Sequence, residues 1–125
     1  MKLLLDTHAL LWWLEDSSEL SAAARAEISE PRNLVYVSAV SLWEIVIKRS
    51  LGKLDMPDDW VDSVREEPFR RLEVTWEHAI HLGTLPPFHR DPFDRLLISQ
   101  AAVEGLVLVT RDGVCESYGI ATLKA

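Results

Sequence analysis

One cysteine, five glycines, two methionines and no apolar run long enough for a bilayer: several protein classes are already closed to these 125 residues. A lone Cys115 cannot form an internal disulfide, so the chain is not a disulfide-stapled scaffold, and a reducing compartment is the expected home. The N-terminus lacks the basic, apolar and small-residue order of a secretory signal, and nothing approaches the roughly 20 apolar residues of a membrane span, which points to the cytoplasm. Positive charge is scarce too. Thirteen basic residues against twenty acidic ones give a formal charge of −7, which argues against holding nucleic acid by general attraction. It does not exclude a nucleic-acid enzyme, because a site that gathers carboxylates around divalent cations lowers the net charge while the ions reverse its local sign.

What is present suffices for one domain spanning residues 1–125, since a hydrophobic content of 48% supplies a core without disulfides. Leu3-Leu4-Leu5 reads as a strand buried on both faces that stops at Asp6-Thr7-His8. A helix follows over Ala9–Leu14 with Asp6 or Thr7 as its cap, then an alanine-rich one over Ser21–Glu30, closed by Pro31. Leu34–Val37 is a second strand ended by Ser38. The helix after it, Ala39 to Arg49, is expected to bury Val40, Trp43, Ile47 and partly Val46. A short helix near Asp58–Val64, a strand over Phe69–Val74 and a helix over Trp76–Leu82 lead to Pro86-Pro87. Asp91 then caps a helix whose first residue is Pro92 and whose end is Gly105; Leu106–Val109 and Ile120–Leu123 are the last strands. Strands alternating with helices predict an α/β fold, a single three-layer domain with a mainly parallel central sheet flanked by helices.

Four carboxylates carry chemistry. Each has an ordinary explanation: Asp6 as a helix cap, Glu44 as partner of Ser41 in a capping box, Asp94 likewise for Asp91, Asp112 as cap of a short helix through Cys115. Together they say more, because Asp6 and Asp112 end strands while Glu44 and Asp94 lie in early turns of helices. In a parallel sheet all four face one edge. Acids so gathered repel unless a cation joins them, and a ligand set without cysteine or histidine suits Mg²⁺ or Mn²⁺.

The set Leu3–His8, Glu44 on a helix after Val37-Ser38, the run His89-Arg90-Asp91-Pro92-Phe93-Asp94-Arg95-Leu96-Leu97-Ile98-Ser99-Gln100-Ala101, and Thr110-Arg111-Asp112 resembles a PIN domain, and within that family the VapC-type toxins of toxin–antitoxin pairs. The resemblance covers essentially the whole chain. It implies a PIN-like fold and a metal-dependent endoribonuclease that hydrolyses RNA phosphodiesters with a metal-activated water. It also implies a homodimer and a cognate antitoxin as partners. The family's acidic tetrad falls on Asp6, Glu44, Asp94 and Asp112, with Asp91, one turn from Asp94, as the rival or supporting residue at the third position. Thr7, Ser38 and Thr110 resemble the hydroxyls that orient carboxylates around the metal.

Arg90, Arg95 and Arg111 stand beside the acids and are the candidate phosphate contacts, with Lys48 and Arg49 one turn beyond Glu44. His8 and His89 flank the site; the His78/His81 pair lacks further ligands and is a weak metal candidate. Trp12, Trp13 and Trp43 are expected in the core or at a dimer face. A phospho-receiver would need paired acids after the first strand, and an aspartyl-nucleophile phosphatase an aspartate where His8 stands. The remaining alternatives are a catalytically weak PIN-fold module that binds proteins, and a housekeeping RNA-processing nuclease.

Overall fold

The computed structural model describes all residues, 1–125. Its centre is the first strand, β1 (Lys2–Leu5), which pairs in parallel with β2 (Leu34–Ser38) on one side and β4 (Val107–Thr110) on the other. β3 (Arg70–Leu72) extends the sheet beyond β2 and β5 (Thr122–Lys124) beyond β4, giving five parallel strands in the order β3-β2-β1-β4-β5. The strand order reverses between β1 and β4. The crevice at their carboxyl ends is therefore the place where such a sheet binds ligands.

Leu3, Leu4 and Leu5 are all fully buried because both faces of β1 are covered. Leu3 and Leu5 join Val35, Val37 and Val109 under α1 (Thr7–Leu14), α2 (Ala22–Ser29) and α4 (Trp60–Glu66). Leu4 and Leu108 face the opposite way, onto Leu97, Ile98 and Ala101 of α6 (Pro92–Glu104). α3 (Ala39–Ser50) gives Ile45 to the first layer and Val40 to the second, and α5 (Trp76–Leu82) packs outside α6. This is the expected three-layer arrangement.

Asp91 and Pro92 open α6, and Gly105 closes it at φ +66°, a left-handed conformation that favours glycine. Other boundaries moved. β3 keeps three residues rather than six, β5 begins at Thr122 rather than Ile120, and a 3₁₀ turn over Gly113–Tyr118 precedes it.

The face assigned to α3 is corrected. Trp43 is 53% exposed, and so is Val46, whereas Ser41, Glu44 and Ile45 are buried with Val40. The helix lies across the sheet edge between α1 and α6, so its inward stripe includes polar residues aimed at the site. The capping box proposed for Ser41 and Glu44 is absent as well: Ser38 caps α3, accepting the Val40 N–H, and Ser41 stands inside the helix.

Candidate active site

Asp6 leaves the end of β1 and caps α1, its Oδ1 accepting the Ala9 N–H at 2.8 Å. That bond fixes the carboxyl at the mouth of a cleft of about 390 Å³, lined also by His8, Trp12, Asp94, Thr110, Arg111, Asp112 and Cys115. Asp94 enters from the first turn of α6. Asp91, one turn earlier, accepts both the Phe93 and Asp94 N–H groups with Oδ1 and does not line the cleft. Thr110, at the end of β4, accepts the Asp112 N–H with its hydroxyl, and Asp112 Oδ1 accepts the Val114 N–H.

Glu44 reaches the site from α3 and is only 3% exposed. Both its oxygens are held: Thr7 donates to Oε1 at 2.6 Å, and the Lys48 ammonium, one turn along the helix, binds Oε2. Glu44 does not line that cleft; it lines a neighbouring cavity with Thr7, Lys48 and Lys53, and His8 and Trp12 border both.

Burial, with Asp91, Glu44 and Asp6 adding negative charge, pushes the Asp94 carboxyl up to about 6. Burial also raises Asp6, against the pull of the Ala9 N–H and the Thr110 hydroxyl. Asp112 moves the other way, held below the ordinary carboxylate range chiefly by His89. Glu44 is held by Lys48 and Asp112 by His89, but neither Asp6 nor Asp94 has a Lys, Arg or His side chain bound to it. The middle of the cleft therefore concentrates negative charge on hard oxygen donors, and an Mg²⁺ or Mn²⁺ ion fits that donor set.

The other expected residues divide. Thr7 holds Glu44 and lies 3.1 Å from the Ser41 hydroxyl. Ser38 points instead into a buried network, donating to Gln100 Oε1 at 2.6 Å. Arg111 lines the cleft with its guanidinium 4.2 Å above the Trp12 ring and paired to Glu19. Arg90 is exposed, in the loop before α6. The Arg95 guanidinium donates to the carbonyls of Pro86, His89, Leu82 and Leu85 and so organises the loop before α6.

His78 is a buried structural group whose Nδ1 accepts the Thr75 N–H and whose Nε2 meets Glu104. His8 stacks on Trp12. Cys115 is buried and its thiol pushed up to about 12 by desolvation; it comes within 4.8 Å of His89 and Asp112 but is a poor ligand while protonated. Sequence reasoning missed the contact of His89 with Asp112 and Tyr118, which no local pattern encodes. It undervalued Lys48, although the Glu44-to-Lys48 spacing of four was a usable signal.

A five-stranded parallel sheet of this order with carboxylates converging at the β1/β4 crevice defines a PIN-type domain. The PIN domain family model matches residues 3–120, and the chain belongs to that family. It is 32% identical over 119 residues to Ribonuclease VapC22 of Mycobacterium tuberculosis (strain ATCC 25618 / H37Rv), across 92% of this chain and 90% of the relative. The fold also matches VapBC2 from Rickettsia felis bound to a promoter DNA fragment, with TM-score 0.74 and 13% identity over 98% of both chains. DNA-bound VapBC from Salmonella typhimurium gives TM-score 0.72 and 19% identity over 98% of this chain and 97% of that one.

Proposed function

We propose that this PIN-domain chain is a divalent-metal-dependent endoribonuclease, the VapC-like toxin of a type II toxin–antitoxin pair acting in the cytoplasm. One observation carries the catalytic reading: Asp6, Asp94 and Asp112, from three separate segments, line one cleft, Glu44 lines the cavity next to it, and the two acids without an ion-pair partner, Asp6 and Asp94, both have raised pKa values. Family membership and a relative named as a ribonuclease support the same reading.

Asp6, Glu44, Asp94 and Asp112 would hold the Mg²⁺ or Mn²⁺. When bound, such an ion polarises phosphate oxygens and makes water a stronger nucleophile. The chain's own residues orient the donors: the Ala9 N–H fixes Asp6, Thr7 fixes Glu44, and Thr110 fixes the backbone that carries Asp112. Arg111 brings positive charge to the cleft and Lys48 to the neighbouring cavity beside Glu44, where a phosphodiester would approach an otherwise acidic surface. An RNA substrate, a cognate antitoxin and a homodimer belong to the same proposal. The likeness of the fold to VapBC structures supports the antitoxin.

The test is cleavage of defined RNAs with Mn²⁺, in excess chelator and by Asp6→Asn. Cleavage that needs both the ion and Asp6, with RNA 5′ ends on expression that vanish in the variant, is the expected result. Activity retained in chelator or in the variant overturns the metal reading. A folded protein inactive on every RNA class favours a protein-binding module, and a gene neighbourhood without an antitoxin frame favours a housekeeping nuclease.

A further inference from the structure

We propose that His89 is a positioning residue for Asp112, with Tyr118 setting the tautomer in which it acts. The proposal rests on Asp112 being one of the metal-holding carboxylates. Of the four acids Asp112 alone is exposed, so it has the most rotational freedom to lose when it engages an ion. Its Oδ1 is held by the Val114 N–H at 3.0 Å, and Oδ2 lies 2.5 Å from His89 Nε2. The other ring nitrogen, Nδ1, lies 2.8 Å from the Tyr118 hydroxyl.

An ionised carboxylate only accepts, so the proton sits on Nε2, and in a neutral imidazole Nδ1 then accepts from the Tyr118 O–H. The polarity runs one way, from Tyr118 through His89 to Asp112. His89 is not a swinging surface group: its side chain is 11% exposed and its ring stacks on Tyr118 with centroids 5.5 Å apart. Its backbone is also held. From α6, Arg95 donates to the carbonyls of Pro86 at 2.9 Å and His89 at 3.4 Å, while Phe88 packs edge-on against Tyr118. The loop before α6 is thereby shaped to deliver an imidazole to a carboxylate that lines the cleft. Hydrogen-bonding partners of ligating groups orient them, and their loss commonly weakens metal affinity 10–100-fold.

The experiment is Mn²⁺ titration by calorimetry of the full chain, with circular dichroism melting to confirm folding. His89→Ala should weaken Mn²⁺ binding about tenfold or more. His89→Gln, which carries an N–H near the imidazole Nε2 position, should recover most of the affinity, and His89→Asn, too short to reach, should not. Tyr118→Phe should give a smaller loss, and keeps the test available if His89→Ala does not fold. In an Asp112→Asn background, His89→Ala should add nothing. If Asp112→Asn weakens binding while His89→Ala does not, or if His89→Ala weakens it equally in that background, the positioning role is wrong and the Asp112 reading survives. Wild-type affinity in Asp112→Asn removes both.

Discussion

The Thr7 hydroxyl donates to Glu44 Oε1 at 2.6 Å, so the first residue of α1 holds a carboxylate from α3, 37 positions along the chain. Both groups are buried, and the bond fixes the distance between the Asp6 and Glu44 segments before any ion arrives.

Thr7→Val keeps the shape of the side chain and removes the donor. It should destabilise the fold by about 1–3 kcal/mol, the cost of a buried acceptor left without its partner. Thr7→Ser should recover most of that loss. Urea unfolding of the three proteins checks it.

Lys48 supplies the cation that a buried Glu44 needs in the absence of metal. Lys48→Met should lower metal-free stability by roughly 1–3 kcal/mol, less than for a fully buried pair because the ammonium is partly solvated. Saturating Mn²⁺ should shrink the deficit, since the ion replaces the lost charge. Thermal melts with and without Mn²⁺ test this; an unchanged deficit in the metal argues that the ion does not meet Glu44.

Asp94 carries a carboxyl raised to about 6. A folded-state value above the unfolded one means the folded chain binds the proton more tightly. Between about 6 and the ordinary 3.8, Asp94 therefore stabilises the metal-free fold as pH falls and destabilises it as pH rises. Asp94→Asn should then be more stable than wild type at pH 7.5 by roughly 1–2 kcal/mol after allowance for solvent screening, with the gap closing towards pH 4. Mn²⁺ binding to wild type should release protons and weaken as pH falls through about 6. Denaturant titrations and calorimetry in two buffers give both numbers.

Cys115 lies buried beside the cleft with its thiol pushed up to about 12. Thiol reagents that need the thiolate should label the native chain far more slowly than the urea-unfolded chain at pH 8. Equal rates would mean that the 3₁₀ turn opens freely.

Three acids of the proposed site stand at places a reader of the chain can find. Asp6 ends an apolar run, Asp94 sits one turn after an Asp-Pro helix start, and Asp112 follows the last fully apolar strand. Local rules govern those positions, because a strand buried on both faces must be apolar and a helix start needs a cap. The same rules gave α5 its bounds, where the sequence alone predicts Trp76–Leu82.

Other features depend on packing between distant segments. Periodicity showed that α3 has an apolar stripe but not that Ser41 and Glu44 would face inward while Trp43 faces water. That choice was made by α1 and α6, which close on the polar side of the helix. Arg95 neighbours Asp94 in the chain, but its hold on the loop carbonyls of Pro86 and His89 is visible only in the fold.

The sequence by itself determined the alternation of strands and helices, the buried support of β1 and the placing of acids at one sheet edge, since each follows from side-chain period and capping within a few residues. Only the tertiary structure decided the long-range side-chain hydrogen bonds around those acids. Thr7 with Glu44, Ser38 with Gln100, and His89 with Asp112 and Tyr118 are pairs separated by 37, 62, 23 and 29 positions. Hydrogen bonds at such separations are set by how the layers close over the sheet, and no local pattern in the chain records them.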